Sequence, residues 1–186
     1  MNGGQKKYLV MLFVLLLFLA GCDRDPGKET PPPAKEQVMS EHIAPEIRRK
    51  MPDFVLPMVQ DGTSFSSDSL HGRVVLVSFF KLWCRTCVAD LTMQQKLQDE
   101  YDDDSFLVIG MAVVEDHTDE ELELFVEKLG LEYPILVSNE KLREGFGGIA
   151  VVPTAFLVDQ QGNIVKKYVS HLEQEHLSAE IAALLK

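Results

Sequence analysis

Continuous apolar stretches alternate along the chain with stretches whose apolar residues recur every three or four positions. Residues 74–80 and 106–114 are apolar runs rich in β-branched and aromatic side chains, which is typical of strands covered on both faces of a sheet. A helical pattern follows the first run at about residues 84–101. Another helix is predicted from Thr118, where a Thr-x-x-Glu capping box begins, to Gly130. This alternation predicts a sheet with parallel strands joined by helices.

Shorter predicted elements, separated by turn residues, make up most of the remaining chain beyond residue 50. In order, they are a lead-in hairpin at 54–59 and 63–69, a strand at 135–138, a short helix at 139–146, a hairpin of strands at 154–159 and 164–170, and a last helix at 173–185. Strands that alternate with helices and then end in a hairpin and a helix indicate an α/β fold. We therefore predict a central mixed β-sheet flanked by helices, with an N-terminal hairpin.

The first residues have the layout of a secretory signal. Two lysines precede an uninterrupted apolar run at residues 9–20, and small residues come just before Cys22. Twelve apolar residues in a helix reach about 18 Å, short of the roughly 30 Å hydrocarbon core of a bilayer. The segment Leu19-Ala20-Gly21-Cys22 resembles the lipobox of bacterial lipoproteins, which implies a signal peptide at 1–21 and a lipid on Cys22. An uncleaved anchor, or a signal peptide in which Cys22 is incidental, are the alternatives.

The segment after Cys22 is polar and proline-rich, with the run Pro31-Pro32-Pro33 and hardly an apolar residue before Val38. Such a stretch buries too little surface to offset its ordering entropy. We predict a flexible tether at 22–50 and a globular domain at 51–186. Asp23 resembles the signal that keeps enterobacterial lipoproteins in the inner membrane, which implies an anchored protein facing the periplasm.

Net charge excludes several classes of partner. Eighteen basic residues against 29 acidic ones give a net charge of -11, which provides no electrostatic footprint for nucleic acid and would be repelled by an anionic lipid surface. Three cysteines are also too few for a domain held together by disulfides.

Candidate chemistry is concentrated in one CxxC motif between a predicted strand and a predicted helix. At the start of a helix, Cys84 and Cys87 would be neighbours one turn apart, and the unpaired N–H groups would stabilise a thiolate on Cys84. Lys81 and Arg85 add nearby positive charge. We therefore predict that Cys84 is the nucleophile and Cys87 the resolving thiol.

Half of a zinc site is the alternative interpretation of a CxxC motif. Zinc requires two further Cys or His ligands at compatible spacing. The third cysteine, Cys22, lies in the signal, and the histidines are scattered without a His-x-x-x-His pair: His42, His71, His117, His171 and His176. We predict redox chemistry, with no metal and no cofactor.

A family resemblance rests on two motifs about 65 residues apart. They are Phe79-Phe80-Lys81-Leu82-Trp83-Cys84-Arg85-Thr86-Cys87 and Val152-Pro153-Thr154. Over about residues 52–186 the chain resembles the thioredoxin superfamily, specifically the TlpA/ResA-like membrane-anchored thiol-disulfide oxidoreductases. The resemblance implies a thioredoxin-like fold, including the lead-in hairpin and an inserted helix and strand at 115–138.

The resemblance also implies roles for residues near the dithiol. Pro153 would be a cis-proline packed against the two cysteines, and the backbone of Val152 would pair with an extended substrate chain; a proline that simply begins a strand is the alternative. Trp83 would flank the reactive sulfur; a half-buried packing aromatic is the other interpretation, and both can hold. Arg85 and Thr86, between the cysteines, complete the predicted site.

Departures from the family pattern leave the proton acceptor for Cys87 open. Many relatives have proline where this chain has Thr86, and thioredoxin has a buried acid where this chain has Ser78. Asp90 falls one helical turn after Cys87 and is a candidate, with a solvated surface acid as the alternative.

The function implied is an extracytoplasmic oxidoreductase that exchanges disulfides with protein substrates. The relatives favour a reductase fed by a membrane thiol donor, including in cytochrome c maturation. The alternatives are a disulfide oxidant or isomerase, a thiol peroxidase, and a copper-binding assembly module. A peroxidase would need Thr or Ser where Lys81 stands, and copper modules usually space their cysteines one residue wider.

Overall fold

A six-stranded mixed sheet organises the residues that the structure, a computed structural model, describes: 49–113 and 118–186. The elements are, in chain order, β1 (Arg49–Lys50), β2 (Val55–Pro57), β3 (Ser64–Ser66), a 3-10 helix (Ser67–Leu70), β4 (Val74–Phe80), α1 (Arg85–Asp99), β5 (Phe106–Ala112), α2 (Asp119–Leu129), β6 (Ile135–Val137), α3 (Glu140–Gly145), β7 (Thr154–Val158), β8 (Asn163–Val169) and α4 (Gln174–Leu184). The predicted elements are confirmed to within about two residues at most ends.

Strand order in the large sheet is β1-β8-β7-β4-β5-β6. β4, β5 and β6 run parallel, whereas β7 is antiparallel to β4, and β8 is antiparallel to both β7 and β1. β2 and β3 form a separate antiparallel hairpin. The predicted mixed sheet, lead-in hairpin and inserted helix–strand element (α2 and β6) are therefore confirmed.

Both faces of the sheet are covered, as the continuous apolar runs predict. Every residue of β4 and β5 is buried. Alternate side chains of β4 enter two different apolar clusters: Leu76 packs with residues of α1, α2 and α4, and Val77 packs with residues of α3 and the hairpin region. Because strand side chains alternate between faces, one strand supports both layers of the core.

The sheet begins two residues before the predicted start of the domain. Arg49 and Lys50, assigned from sequence to the tether, pair with Ile164 and Asn163 of β8. A two-residue edge strand with exposed, charged side chains has no apolar alternation, so no hydrophobic pattern marks it. The predicted signal peptide, Cys22 and most of the tether lie outside the described residues.

The capping box predicted before α2 is present. The Thr118 hydroxyl accepts a hydrogen bond from the Glu121 N–H, and the Glu121 carboxylate accepts one from the Thr118 N–H. Gly130 ends the helix in the left-handed conformation, with φ 61°. None of the helices in the described part of the chain combines the length and apolar character required to cross a membrane.

Register in the sheet places the two conspicuous motifs side by side. Phe79 in β4 is paired with Thr154 at the start of β7, so Pro153 lies next to the end of β4. From that end the chain passes through residues 81–84 into α1. The end of β4, the start of α1 and the turn before β7 therefore lie close together, at one end of the central strands.

Candidate active site

The two cysteines are joined by a disulfide at the start of α1. Cys84 is the N-cap residue, with extended backbone angles (φ -89°, ψ 106°), and its sulfur accepts a hydrogen bond from the Cys87 N–H at 3.2 Å. The Cα atoms lie 5.1 Å apart, within the usual range for a disulfide. The helix thus begins one residue later than predicted, and Cys84 occupies the capping position that a Ser or Asp side chain often fills.

Exposure distinguishes the two sulfur-bearing residues. Cys87 is completely buried, with 0% of its surface exposed, whereas Cys84 is half-buried. Cys84 is therefore the one that an incoming thiol or disulfide can reach from solvent. This asymmetry agrees with the predicted division into an attacking and a resolving cysteine.

Groups that stabilise negative charge lie next to Cys84. The first turn of α1 contains no acidic side chain, and Arg85 is exposed at its first position. Unpaired N–H groups and the helix dipole stabilise negative charge at this end of a helix. The hydroxyl of Thr86 lies 3.2 Å from the Cys84 sulfur, so this residue, where many relatives have proline, adds a polar contact to that sulfur.

The Val152–Pro153 peptide bond is cis, as the resemblance implies, and Pro153 directly precedes β7. Pro153 is buried and Val152 is half-buried. Val152 and Cys84 pack against the same apolar cluster. The carbonyl of Pro153 accepts a hydrogen bond from the Ser170 N–H at 3.0 Å.

Exposed apolar side chains gather in the segments that border the disulfide. Trp83 is 80% exposed and Val151 is 53% exposed. Val169, also exposed, is paired with Thr154 beside Pro153. The alternative of a half-buried packing role for Trp83 is therefore wrong. Large exposed apolar side chains near a reactive group are typical of surfaces that contact another molecule.

Asp90, one helical turn after Cys87, is a buried carboxylate. It is 1% exposed, so the alternative of a solvated surface acid is wrong. Its Oδ1 bonds to Nδ1 of His171 and accepts a longer hydrogen bond from the Leu172 N–H at 3.4 Å. Its Oδ2 is buried without a hydrogen-bond partner. Burial raises the pKa of Asp90, and the bonds from His171 and Leu172 oppose this rise.

The position that holds a buried acid in thioredoxin is neutral in this chain. Ser78 is 1% exposed, and its hydroxyl accepts a hydrogen bond from the side-chain amide of Gln94 at 3.0 Å. Gln94 lies one turn after Asp90 on α1, and its own amide oxygen is buried and unpartnered. Of these buried polar positions, the acidic one, Asp90, lies on the helix and not on the strand.

Sequence reasoning did not connect His171 with the site. His171 lies 81 residues from Asp90, in the loop between β8 and α4, and no local motif marks it. Pairing between these residues follows only from packing of that loop onto α1. Across residues 49–113 and 118–186, no three His, Cys, Asp or Glu side chains are grouped as a metal site requires.

Comparison with known proteins agrees with this geometry. The family model described as Redoxin matches residues 47–185. The thiol-disulfide oxidoreductase ResA of Bacillus thuringiensis (strain Al Hakam) is 26% identical over 132 residues, which cover 71% of this chain and 75% of that protein. ResA of Geobacillus thermodenitrificans (strain NG80-2) is 23% identical over 180 residues, or 97% of each chain.

Solved structures give the same result. A thiol:disulfide interchange protein of the thioredoxin family from Chlorobium tepidum TLS has a TM-score of 0.68 and 26% identity, covering 75% of this chain and 97% of that one. A thiol-disulfide isomerase from Corynebacterium glutamicum has a TM-score of 0.64 and 25% identity, covering 73% and 97%. The thioredoxin-like fold expected from sequence is therefore confirmed.

Proposed function

This chain belongs to the Redoxin family and is a ResA-like thiol-disulfide oxidoreductase, and on that basis we propose that Cys84 is its nucleophile and Cys87 its resolving thiol. One observation carries the assignment: of the two cysteines, Cys84 is reachable from solvent, whereas Cys87 has no exposed surface. The dipole and the N–H groups at that helix end favour a thiolate on Cys84.

The reaction follows from this arrangement. In the reduced protein the Cys84 thiolate attacks one sulfur of a substrate disulfide, forms a mixed disulfide and releases the other sulfur as a thiolate. Cys87 then loses its proton and attacks the Cys84 sulfur, which forms the Cys84–Cys87 disulfide and releases the second substrate sulfur. Two electrons pass from the dithiol to the substrate. We propose that the buried carboxylate of Asp90, one turn further along α1, accepts the Cys87 proton.

Substrates are proposed to be protein disulfides presented on extended chains. The exposed Trp83 and Arg85 flank the accessible sulfur, and Thr86 contacts it at 3.2 Å. Val152 and Pro153 directly precede β7, whose start is paired with the end of β4, and we expect an extended substrate chain to pair there with the backbone of Val152. Apolar side chains and backbone pairing depend little on the sequence of the bound segment, so this surface is suited to an extended, flexible chain.

Reduction is the proposed direction, on the basis of the ResA-like relatives, which also suggest a membrane thiol protein as electron donor and a role in cytochrome c maturation. Equilibration of the Cys84/Cys87 couple in glutathione or thioredoxin buffers tests the direction. A reductase is expected to have a potential below roughly -230 mV, and a value near about -120 mV would identify an oxidant instead. The Cys84→Ser variant, which has no couple to titrate, is the blank.

Membrane anchoring through Cys22 is proposed from the lipobox-like Leu19-Ala20-Gly21-Cys22 segment. The lipid would hold the domain on the periplasmic side of the inner membrane. Cys22→Ser is expected to abolish lipid-dependent membrane recovery and to leave unprocessed precursor, because the modified sulfur is the attachment point. Cys84→Ser, which also removes one thiol, is the matched control and should be processed normally. A mature terminus at another residue, without diacylglycerol in its mass spectrum, would contradict the proposal.

A further inference from the structure

The bonded pair Asp90 and His171 connects the interior of the site with solvent. The Asp90 side chain is 1% exposed, whereas the His171 side chain is 60% exposed. The two come from α1 and from the loop between β8 and α4, and Nδ1 of the ring is bonded to Oδ1 of the carboxylate. One ring nitrogen of His171 is therefore bonded to a buried carboxylate, while the rest of the ring is accessible to water.

Backbone contacts hold His171 in this position from both sides. The Ser170 N–H donates to the carbonyl of Pro153 at 3.0 Å, and the Leu172 N–H is directed at Oδ1 of Asp90 at 3.4 Å. Ser170 itself has φ 78°, a left-handed conformation that is uncommon for residues other than glycine and is kept where surrounding contacts require it. The loop is thus attached to the turn before β7 and to α1 at the same time.

The two oxygens of the Asp90 carboxylate have different surroundings. Oδ1 is occupied by His171 and Leu172, whereas Oδ2 is buried with no hydrogen-bond partner. A buried acceptor without a partner is costly in a folded protein and has a strong tendency to take up a proton or donor. Oδ2 is therefore the atom available for a proton from inside the site, while Oδ1 transmits the change to His171.

Charged side chains on α4 and at the start of α1 are exposed or paired elsewhere. His171 is the group whose charge acts on the carboxylate. On α4, Glu173 and Glu175 are exposed, and His176 and Glu180 form their own cluster with Lys166 of β8. At the start of α1, Arg85 is exposed beside Cys84.

Building on the proposed role of Cys87 as resolving thiol, we propose that His171 is a positioning residue that couples the buried Asp90 carboxylate to solvent. When Cys87 attacks the mixed disulfide, its thiol proton passes to Oδ2 of Asp90, and the carboxylate loses its negative charge. The imidazolium of His171 then has no charge partner and releases a proton from Nε2 to water. In this step the protein releases one proton to water. The dithiol is oxidised to the Cys84–Cys87 disulfide, and its two electrons leave with the substrate thiolate.

The reverse half-reaction restores the pair. When a donor dithiol reduces the Cys84–Cys87 disulfide, the departing Cys87 thiolate takes the proton from Oδ2, and His171 regains one from water at Nε2. Asp90 and His171 are again an ion pair, so the cycle closes without a net change in the pair. Imidazole suits this task because it is the side chain that ordinarily changes charge between about pH 5 and 8.

Stopped-flow reaction with 5,5'-dithiobis(2-nitrobenzoate) separates the two chemical steps. The sample is the reduced full-length chain in detergent, with Cys22→Ser so that only the CxxC thiols react. Attack of Cys84 on the reagent should release one nitrothiobenzoate, at a rate that depends on reagent concentration. A second release, independent of reagent concentration, reports attack by Cys87. The first phase tests the proposed function and the second tests the role of His171.

His171→Gln is expected to slow the second phase about 10-fold or more, toward the lower end of typical proton-transfer contributions, and to leave the first phase within about 2-fold. The pH profile of the second phase should differ between the wild type and the variant, because the variant lacks the imidazole that exchanges protons with water. In the Asp90→Asn background the same substitution should have no further effect, because the two residues act as one unit. His176→Gln, at a histidine whose side chain is 55% exposed on α4, is the control and should behave as the wild type.

His171→Ala supplies the second test, since added imidazole should restore its second phase if the missing group is a proton-exchanging ring. A wild-type rate and pH profile in His171→Gln would overturn the proposal, and so would an equal loss in both phases or a failure of imidazole to restore His171→Ala. Persistence of the first phase in Cys84→Ser would instead overturn the assignment of the nucleophile, and with it the step on which this proposal rests.

Discussion

Cys84→Ser is expected to reduce the rate of exchange with disulfide substrates by at least about 1,000-fold, the scale on which loss of a covalent nucleophile acts. The reason is positional. Cys84 is the N-cap of α1, and its half-buried sulfur is the one that solvent reaches. Cys87 has no exposed surface and cannot take over the attack without movement of the helix start.

The rates at which the two thiols react with iodoacetamide measure independently how far Cys84 and Cys87 differ in accessibility and pKa. In the reduced protein the helix end and the neighbouring Arg85 should bring the pKa of Cys84 below the roughly 8.5 of a free cysteine, so Cys84 should alkylate first as the pH rises. The burial of Cys87 favours its neutral thiol. Cys22→Ser is the matched control, because it removes a cysteine outside the CxxC motif and should retain full exchange. First alkylation at Cys87, at low pH, would reverse the assignment.

Cys87→Ser is expected to abolish turnover while leaving the first attack intact, so that the variant accumulates as a covalent mixed disulfide with its substrate. Release needs a second sulfur directed at the Cys84–substrate bond. Cys87 supplies it, because its sulfur forms the disulfide with Cys84 and its N–H donates to the Cys84 sulfur at 3.2 Å. A serine hydroxyl is too weak a nucleophile to replace it at neutral pH.

Non-reducing gel electrophoresis of Cys87→Ser incubated with periplasmic proteins should reveal adducts that collapse on addition of a reductant. Mass spectrometry of the adducts would identify the substrates and would test whether cytochrome c precursors are among them. Neither the Cys84→Ser variant nor a double variant lacking both thiols should form these adducts. Adducts trapped by Cys84→Ser, or a mixed disulfide that Cys87→Ser resolves at the wild-type rate, would show that the roles are exchanged.

Fold class was predictable because the relevant pattern is local and continuous. The buried runs that became β4 and β5 are apolar at nearly every position, and sheet strands covered on both faces require this. The start of α2 was predictable for a similar reason, since a capping box is formed by residues three apart. By contrast, β1 is two exposed charged residues that only pairing with β8 identifies as a strand.

Local sequence alone therefore determined the dithiol, its place at a helix start and the identity of Cys84 as the accessible partner, because one helical turn contains all of that chemistry. The exposure of Trp83 and the burial of Asp90 were left open, since a side chain on a helix or loop is covered only by what packs against it. Tertiary structure decided both, and it alone brought His171 to Asp90 from 81 residues away. Long-range packing sets the solvation of a carboxylate, and solvation sets its proton affinity.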